Sequence, residues 1–131
     1  MTPPDASENA TILLVDDEHS VRAIVLKILR RAKYNVLEAE NGEAALRIAA
    51  EHPGKIDLVI TDMFMPGLRG PEVVQKIAPT RPGLRALFMS GYADQDARTG
   101  VPAGANFLNK PFSGQELAAA VEAVLKGPAV S

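Results

Sequence analysis

Cysteine is absent from this chain of 131 residues, which excludes disulfides, thiolate metal sites and cysteine nucleophiles. The lack of cysteine fits the reducing cytoplasm, where we expect this protein to work. Only two histidines are present, too few for a histidine-rich metal centre. No run of residues approaches the roughly 18 apolar residues of a membrane span. The net charge of −2 gives no reason to expect nucleic acid or an anionic membrane as a partner.

What is present is ordinary for one globular domain. Hydrophobic residues make up 47% of the chain and charged residues 23%, and the length is enough for one domain with one hydrophobic core. The N-terminal stretch is polar without an apolar run, so it is interpreted as a flexible tail and not as a signal peptide. We expect the domain at residues 10–127, between an N-terminal tail at 1–9 and a C-terminal tail at 128–131.

Short apolar runs alternate with helical patterns along the chain. Continuous apolar runs are typical of strands that are buried on both faces of a parallel sheet. Their alternation with helices, repeated about five times, predicts an α/β domain with a parallel sheet and right-handed crossovers. The predicted strands include residues 12–15, 36–37, 58–60, 86–89 and 107–108.

The helices are predicted from their apolar faces and from their ends. Asn41 and Ser113 are candidate N-caps, Pro71 suits a first helical turn, and residues 127–128 should end the last helix. The segment 92–104 should hold the helix between the fourth and fifth strands, but it is poor in large apolar residues, which predicts a short or mobile helix. In the first helix, the apolar face comprises Val21, Ile24, Val25, Ile28 and Leu29, and the water-facing side comprises Arg22, Lys27, Arg30 and Arg31.

Polar side chains follow four of the predicted strands. The first strand is followed by Asp16 and Asp17, the third by Asp62, the fourth by Ser90 and the fifth by Lys110. Ligands bind beyond the carboxyl ends of the strands in open α/β sheets, so these side chains are expected at one edge. Each alone has an ordinary structural explanation, such as a loop carboxylate, a turn serine or a solvated lysine. Their joint occurrence is what indicates a site.

The chemistry expected of this edge is phosphoryl transfer. Three neighbouring carboxylates repel one another and call for a cation. Mg²⁺ suits a site made of a few carboxylates and several waters. Lys110 supplies fixed positive charge, and Ser90 supplies a hydroxyl donor. Such a site suits a dianionic phosphoryl group, and an aspartate can attack phosphorus to form an acyl phosphate.

Together these residues resemble the receiver domain of two-component response regulators. The resemblance covers nearly the whole chain and is closest in style to the receivers of hybrid histidine kinases. It implies a flavodoxin-like, doubly wound sheet of five parallel strands in the order 2-1-3-4-5, with helices on both faces. The motifs that carry it are LVDDE at 14–18, EAENG at 38–42, DMFMPG at 62–67 with Gly70, MSGY at 89–92 and KPF at 110–112.

Carried over by position, the resemblance implies a role for each site residue. Asp62 would be the phosphoacceptor. Lys110 would pair with the phosphoryl oxygens, positioned by a cis peptide bond to Pro111. Mg²⁺ would be the cofactor, held by Asp17, Asp62 and the backbone carbonyl of Phe64, with Asp16 acting directly or through a water.

The resemblance also implies a switch and its partners. Ser90 would move toward the phosphoryl group, and Phe107 would then turn inward. The fourth helix, fifth strand and fifth helix would form the output surface for a downstream protein target. The phosphoryl donor would be a histidine kinase or a histidine phosphotransfer protein, and the only chemistry would be the chain's own phosphorylation and dephosphorylation.

Three other functions fit parts of the pattern. A magnesium-dependent phosphatase of the haloacid-dehalogenase type also uses an aspartyl phosphate, but its second aspartate lies two residues beyond the first, whereas Asp16 and Asp17 are adjacent. A flavodoxin-like nucleotide-binding module would want a glycine-rich or hydroxyl-rich loop after the first strand, where this chain has acidic residues. A receiver-like binding module that is never phosphorylated would not need the complete set of site residues.

Overall fold

A computed structural model describes residues 10–90 and 106–130 of the chain. Within these ranges it contains five strands and four helices. The strands are β1 (Thr11–Val15), β2 (Asn35–Ala39), β3 (Leu58–Asp62), β4 (Arg85–Ser90) and β5 (Asn106–Asn109). The helices are α1 (His19–Arg31), α2 (Gly42–Glu51), α3 (Gly70–Ile77), which a 3₁₀ turn (Ala78–Thr80) extends, and α4 (Gly114–Lys126).

The sheet confirms the predicted architecture. Its order is β2-β1-β3-β4-β5, and every neighbouring pair is parallel. The register pairs Val15 with Thr61, Asp62 with Met89 and Ser90 with Asn109. The carboxyl ends of β1, β3, β4 and β5 therefore meet at one edge, as the topology requires of a doubly wound sheet.

Two apolar cores lie on opposite faces of the sheet. One core packs under α2 and α3 and includes Phe88 and Met63; the other packs under α1 and α4 and includes Leu14 and Met89. Every residue of the central strand β3 is buried. A strand covered on both faces has no solvent side to alternate with, which explains its continuous apolar run.

The predicted caps are confirmed. The side chain of Asn41 accepts a hydrogen bond of 2.7 Å from the Ala44 N–H, and Ser113 and Glu116 form a reciprocal capping box at the start of α4. Pro71 lies in the first turn of α3, where the N–H that proline lacks has no helical partner to lose. These local signals place the beginnings of three helices.

The predicted faces of α1 are wrong at two residues. Val25 and Leu29 are buried, but Ile24 is 61% exposed, because the strip of α1 that touches the sheet and α4 is narrower than the apolar face. The side chain of Arg22, predicted to face water, is only 14% exposed, because it turns back toward the end of β1.

The last described residues return to the sheet at the start of β4. Arg85 Nε donates to the Gly127 carbonyl, and the Val130 N–H donates to the Leu84 carbonyl at 2.9 Å. Val130 also packs against the core under α2 and α3. The expectations for residues 1–9 and for the helix in 92–104 lie outside the described residues. Among the described helices, none has the length and apolar character required to cross a membrane.

Candidate functional site

Three carboxylates meet at the carboxyl edge of the sheet, as predicted. Asp16, Asp17 and Asp62 each offer an oxygen, and these oxygens lie within 4.8 Å of one another. Asp16 is 0% exposed and Asp62 7%, whereas Asp17 is exposed. The cluster is therefore closed by protein on one side and open to solvent on the other. An acidic cleft of about 310 Å³ adjoins the open side, lined by Asp17, Glu40, Asn41, Glu43 and Pro66.

Asp16 has the features of a metal ligand. Its Oδ1 accepts a hydrogen bond of 2.9 Å from the Glu18 N–H, but its buried Oδ2 has no hydrogen-bond partner among the described residues. Burial raises the pKa of this carboxyl group, the Glu18 N–H opposes the rise, and the nearby Asp62 charge adds to it. A buried carboxylate oxygen without a donor is costly. A hard cation shared with the other two carboxylates fits this oxygen.

Lys110 is bound to the predicted phosphoacceptor. Its ammonium lies 3.0 Å from Oδ2 of Asp62. Burial acts to lower the pKa of Lys110, but the hydrogen bond and charge of Asp62, with the charge of Asp16, more than offset it and raise the pKa overall. Lys110 is therefore a fixed positive charge at neutral pH. The peptide bond from Lys110 to Pro111 is cis, as the resemblance implied.

Ser90 is fully buried at the end of β4 and is bound by the neighbouring strand. Its hydroxyl donates to Oδ1 of Asn109 over 3.3 Å, and the Lys110 N–H donates to the Ser90 carbonyl at 2.8 Å. No local feature of the sequence singles out Asn109. Only the β4–β5 register, which pairs it with Ser90, could have identified it.

The two predicted aromatic positions lie in different surroundings. Phe64 is 42% exposed, and the guanidinium of Arg69 lies 4.7 Å from its ring centroid, in cation–π range. Phe107 is half-buried and packs on Phe88, with ring centroids 5.7 Å apart. The ring of Phe107 thus packs on β4, the strand that carries Ser90. The metal-binding role of the Phe64 carbonyl remains a prediction.

Gly70, which the sequence places only in a motif, is packed against the predicted phosphoacceptor, Asp62. A Cβ at this position would overlap the backbone carbonyl of Asp62 and crowd the Thr61 side chain. The Gly70 N–H donates to the Met63 carbonyl at 3.0 Å. The absent side chain lets the start of α3 rest directly on the end of β3, which sets where Asp62 stands.

Asp16→Asn is expected to raise the melting temperature of the metal-free protein and to remove most of its stabilisation by Mg²⁺. Because the pKa of Asp16 is raised in the folded state, its ionised form costs folding free energy above that pKa, and the cost disappears as the pH falls through it. The neutral amide avoids the cost at neutral pH. A ligand that binds only the folded state raises stability by mass action, and the variant has lost one ligand.

Thermal melts in excess chelator and in millimolar Mg²⁺ measure both effects. For a domain of this size, a change of 1 kcal/mol in stability shifts the melting temperature by roughly 3–6 °C. Glu40→Gln is the control, because it removes an exposed carboxylate from the adjoining cleft. A lower melting temperature for Asp16→Asn in chelator, together with a full response to Mg²⁺, would contradict the assignment.

Comparison with known proteins agrees with this geometry. Residues 12–122 match the family described as the response regulator receiver domain. The chain is 40% identical over 124 residues to the sensor kinase CckA of Brucella abortus, which covers 93% of this chain but only 13% of that kinase. It is 32% identical over 120 residues to the response regulator receiver protein CpdR of the same organism, which covers 87% of this chain and 95% of CpdR.

A solved structure shows the same likeness. The crystal structure of the receiver domain from the hybrid histidine kinase CckA superposes with a TM-score of 0.74 at 39% identity, and the match covers 88% of this chain and 99% of that domain. The fold, the cluster of carboxylates with Lys110, and the family match lead to one conclusion. This chain belongs to the response regulator receiver domain family.

Proposed function

We propose that this chain accepts a phosphoryl group on Asp62 in a Mg²⁺-dependent reaction and thereby acts as the receiver of a cytoplasmic two-component phosphorelay. The observation that carries the proposal is the buried Oδ2 of Asp16, which has no hydrogen-bond partner among the described residues. Asp16 lies beside Asp62, whose own Oδ2 is bound to Lys110. Residues 10–127 would be the working unit. A histidine kinase or a histidine phosphotransfer protein would be the donor, as the names of the relatives suggest.

The transfer needs a nucleophile and a means of offsetting negative charge. A carboxylate oxygen of Asp62 would bond to phosphorus as the P–N bond of the donor phosphohistidine breaks, and the electron pair of that bond would stay on the imidazole nitrogen. The products are an acyl phosphate and a free histidine. Lys110 would move from Asp62 to an oxygen of the phosphoryl group, because phosphorylation removes the carboxylate charge that now holds it.

The proposed metal ligands are the carboxylates of Asp16, Asp17 and Asp62 and the backbone carbonyl of Phe64. Mg²⁺ bound there would supply positive charge next to the phosphoryl oxygens. Asp16 and Asp17 would hold it from the β1 side, and the open cleft would leave room for the donor. The proposed chemistry is limited to the chain's own phosphorylation and the loss of that phosphate.

The output would begin at Ser90. To donate to a phosphoryl oxygen, its hydroxyl has to leave Asn109, and the weak 3.3 Å contact makes that exchange inexpensive. Phe107, which packs beside β4, would turn inward in response. A downstream protein target would recognise the altered surface around the predicted fourth helix, β5 and the last helix. Neither nucleic acid nor a membrane is proposed as a partner.

Phosphotransfer from a purified, histidine-phosphorylated phosphotransfer protein tests the proposal. We expect label to leave the donor and appear on this chain only when Mg²⁺ is present, and excess chelator to stop the transfer. A panel of donor proteins, together with acetyl phosphate as a small-molecule donor, controls for the choice of a donor that this chain does not recognise. If acetyl phosphate and every donor in the panel fail to label the chain in Mg²⁺, an unphosphorylated binding module becomes the better description.

A further inference from the structure

Arg22 connects three elements behind the acidic cluster. Its Nη1 donates to the backbone carbonyl of Asp16 at 2.7 Å, and its Nε lies 3.4 Å from a carboxylate oxygen of Glu38 on β2. Its Nη2 lies 3.2 Å from the Nδ1 of His19 in the first turn of α1. A charge-assisted bond of 2.7 Å from a side chain that is only 14% exposed is a strong local constraint.

Arg22 binds the backbone carbonyl of Asp16, the residue whose buried Oδ2 has no hydrogen-bond partner among the described residues. The Asp16 N–H donates to the Ala39 carbonyl at 3.2 Å, so the backbone of Asp16 is held from β2 on one side and from α1 on the other. With both peptide groups held, Oδ1 reaches the Glu18 N–H, and the carboxylate of Asp16 offers an oxygen to the cluster. Without Arg22, the peptide between Asp16 and Asp17 would lose its side-chain anchor.

We infer that Arg22 is a positioning residue for the divalent-cation site: it fixes the main chain between Asp16 and Asp17 so that both carboxylates face the ion. The inference rests on the metal site of the proposed function and not on phosphoryl transfer. Outer partners of ligand residues commonly account for about 10–100-fold in metal affinity. Arg22 differs from most of them because it acts through the backbone of the ligand residue.

The direction of the effect separates this role from simple electrostatics. Arg22 is a positive charge near three carboxylates, so by charge alone its removal should tighten the binding of a dication. Loss of positioning should weaken binding. The two explanations therefore predict opposite signs for the same neutral substitution.

The experiment is a calorimetric Mg²⁺ titration of the full chain and of two Arg22 variants. We expect Arg22→Gln to bind Mg²⁺ about 10-fold more weakly. Arg22→Lys should recover part of the loss, because an ammonium can reach the carbonyl but cannot also bind Glu38. Arg30→Gln, which removes an exposed charge from the same helix, should change the affinity by less than about twofold.

Phosphorylation by acetyl phosphate gives an independent readout. For Arg22→Gln we expect a higher half-saturating Mg²⁺ concentration but a nearly normal rate at saturation. Melts in chelator show whether the variant folds. If Arg22→Gln does not fold, Glu38→Gln, which removes the anchor of the guanidinium, should weaken Mg²⁺ binding by about two- to threefold.

Unchanged or tighter Mg²⁺ binding by Arg22→Gln would overturn the inference, as would unchanged binding by Glu38→Gln where that variant is needed. Failure of the unaltered chain to bind Mg²⁺ would instead reject the metal site of the proposed function. The two failures are therefore distinguishable.

Discussion

Asp62→Asn is expected to abolish phosphoryl uptake. The amide has almost the shape of the carboxylate, but it lacks the anionic oxygen that would attack phosphorus. It also removes the charge that holds Lys110 at 3.0 Å and one of the three clustered carboxylates. Incubation with Mg²⁺ and acetyl phosphate, followed by intact-mass measurement, should show one added phosphoryl group on the unaltered chain and none on the variant.

A matched control is available at the other end of the same strand. Asp57 lies just before β3, where its side chain accepts from the Thr11 N–H and pairs with Lys55. Asp57→Asn makes the same chemical change away from the site, so it should cost some stability and leave phosphoryl uptake intact. Equal uptake by Asp62→Asn and the unaltered chain would show that another residue is the acceptor.

Gly70→Ala is expected to damage both the fold and the site. Alanine favours a helix over glycine by about 1 kcal/mol, so local propensity alone predicts stabilisation. The added methyl group, however, would overlap the Asp62 carbonyl, and that atom belongs to the main chain and cannot rotate away. Overpacking typically costs 1–3 kcal/mol, and against a rigid partner we expect a net loss of about 2 kcal/mol with a much slower phosphorylation.

Gly114→Ala separates this contact from a general effect of replacing glycine at a helix start. Gly114 begins α4 as Gly70 begins α3, but its Cβ would meet the side chain of Ile28, whose nearest atom lies at an ordinary 3.5 Å. Denaturant unfolding and the phosphorylation rate should both be near normal in this control. Equal stability and equal rate for the two alanine variants would refute the packing role of Gly70.

Much of the fold was predictable from the sequence because its signals are local. Apolar runs marked the strands. Asn41 and Ser113 marked helix starts through hydrogen bonds to N–H groups three residues away, and Pro71 marked a first helical turn, for which proline is suited. The meeting of Asp16, Asp17, Asp62 and Lys110 was predictable for a different reason. In a parallel α/β sheet the carboxyl ends of strands share an edge, whatever the loops between them do. The strand order itself came from the resemblance to the family.

Tertiary packing alone decided the contacts that position the site. The spacing of α1 assigned Arg22 to solvent and Ile24 to the core, but helical period describes directions around an axis and not which neighbours lie there. The acceptor Asn109 for Ser90 depends on the register between two strands far apart in sequence. The close approach of Gly70 to Asp62 depends on how α3 is laid against β3. The sequence by itself therefore determined which chemical groups reach the edge of the sheet, whereas the tertiary structure decided which other residues hold those groups in place, because such contacts join elements whose relative position no local pattern encodes.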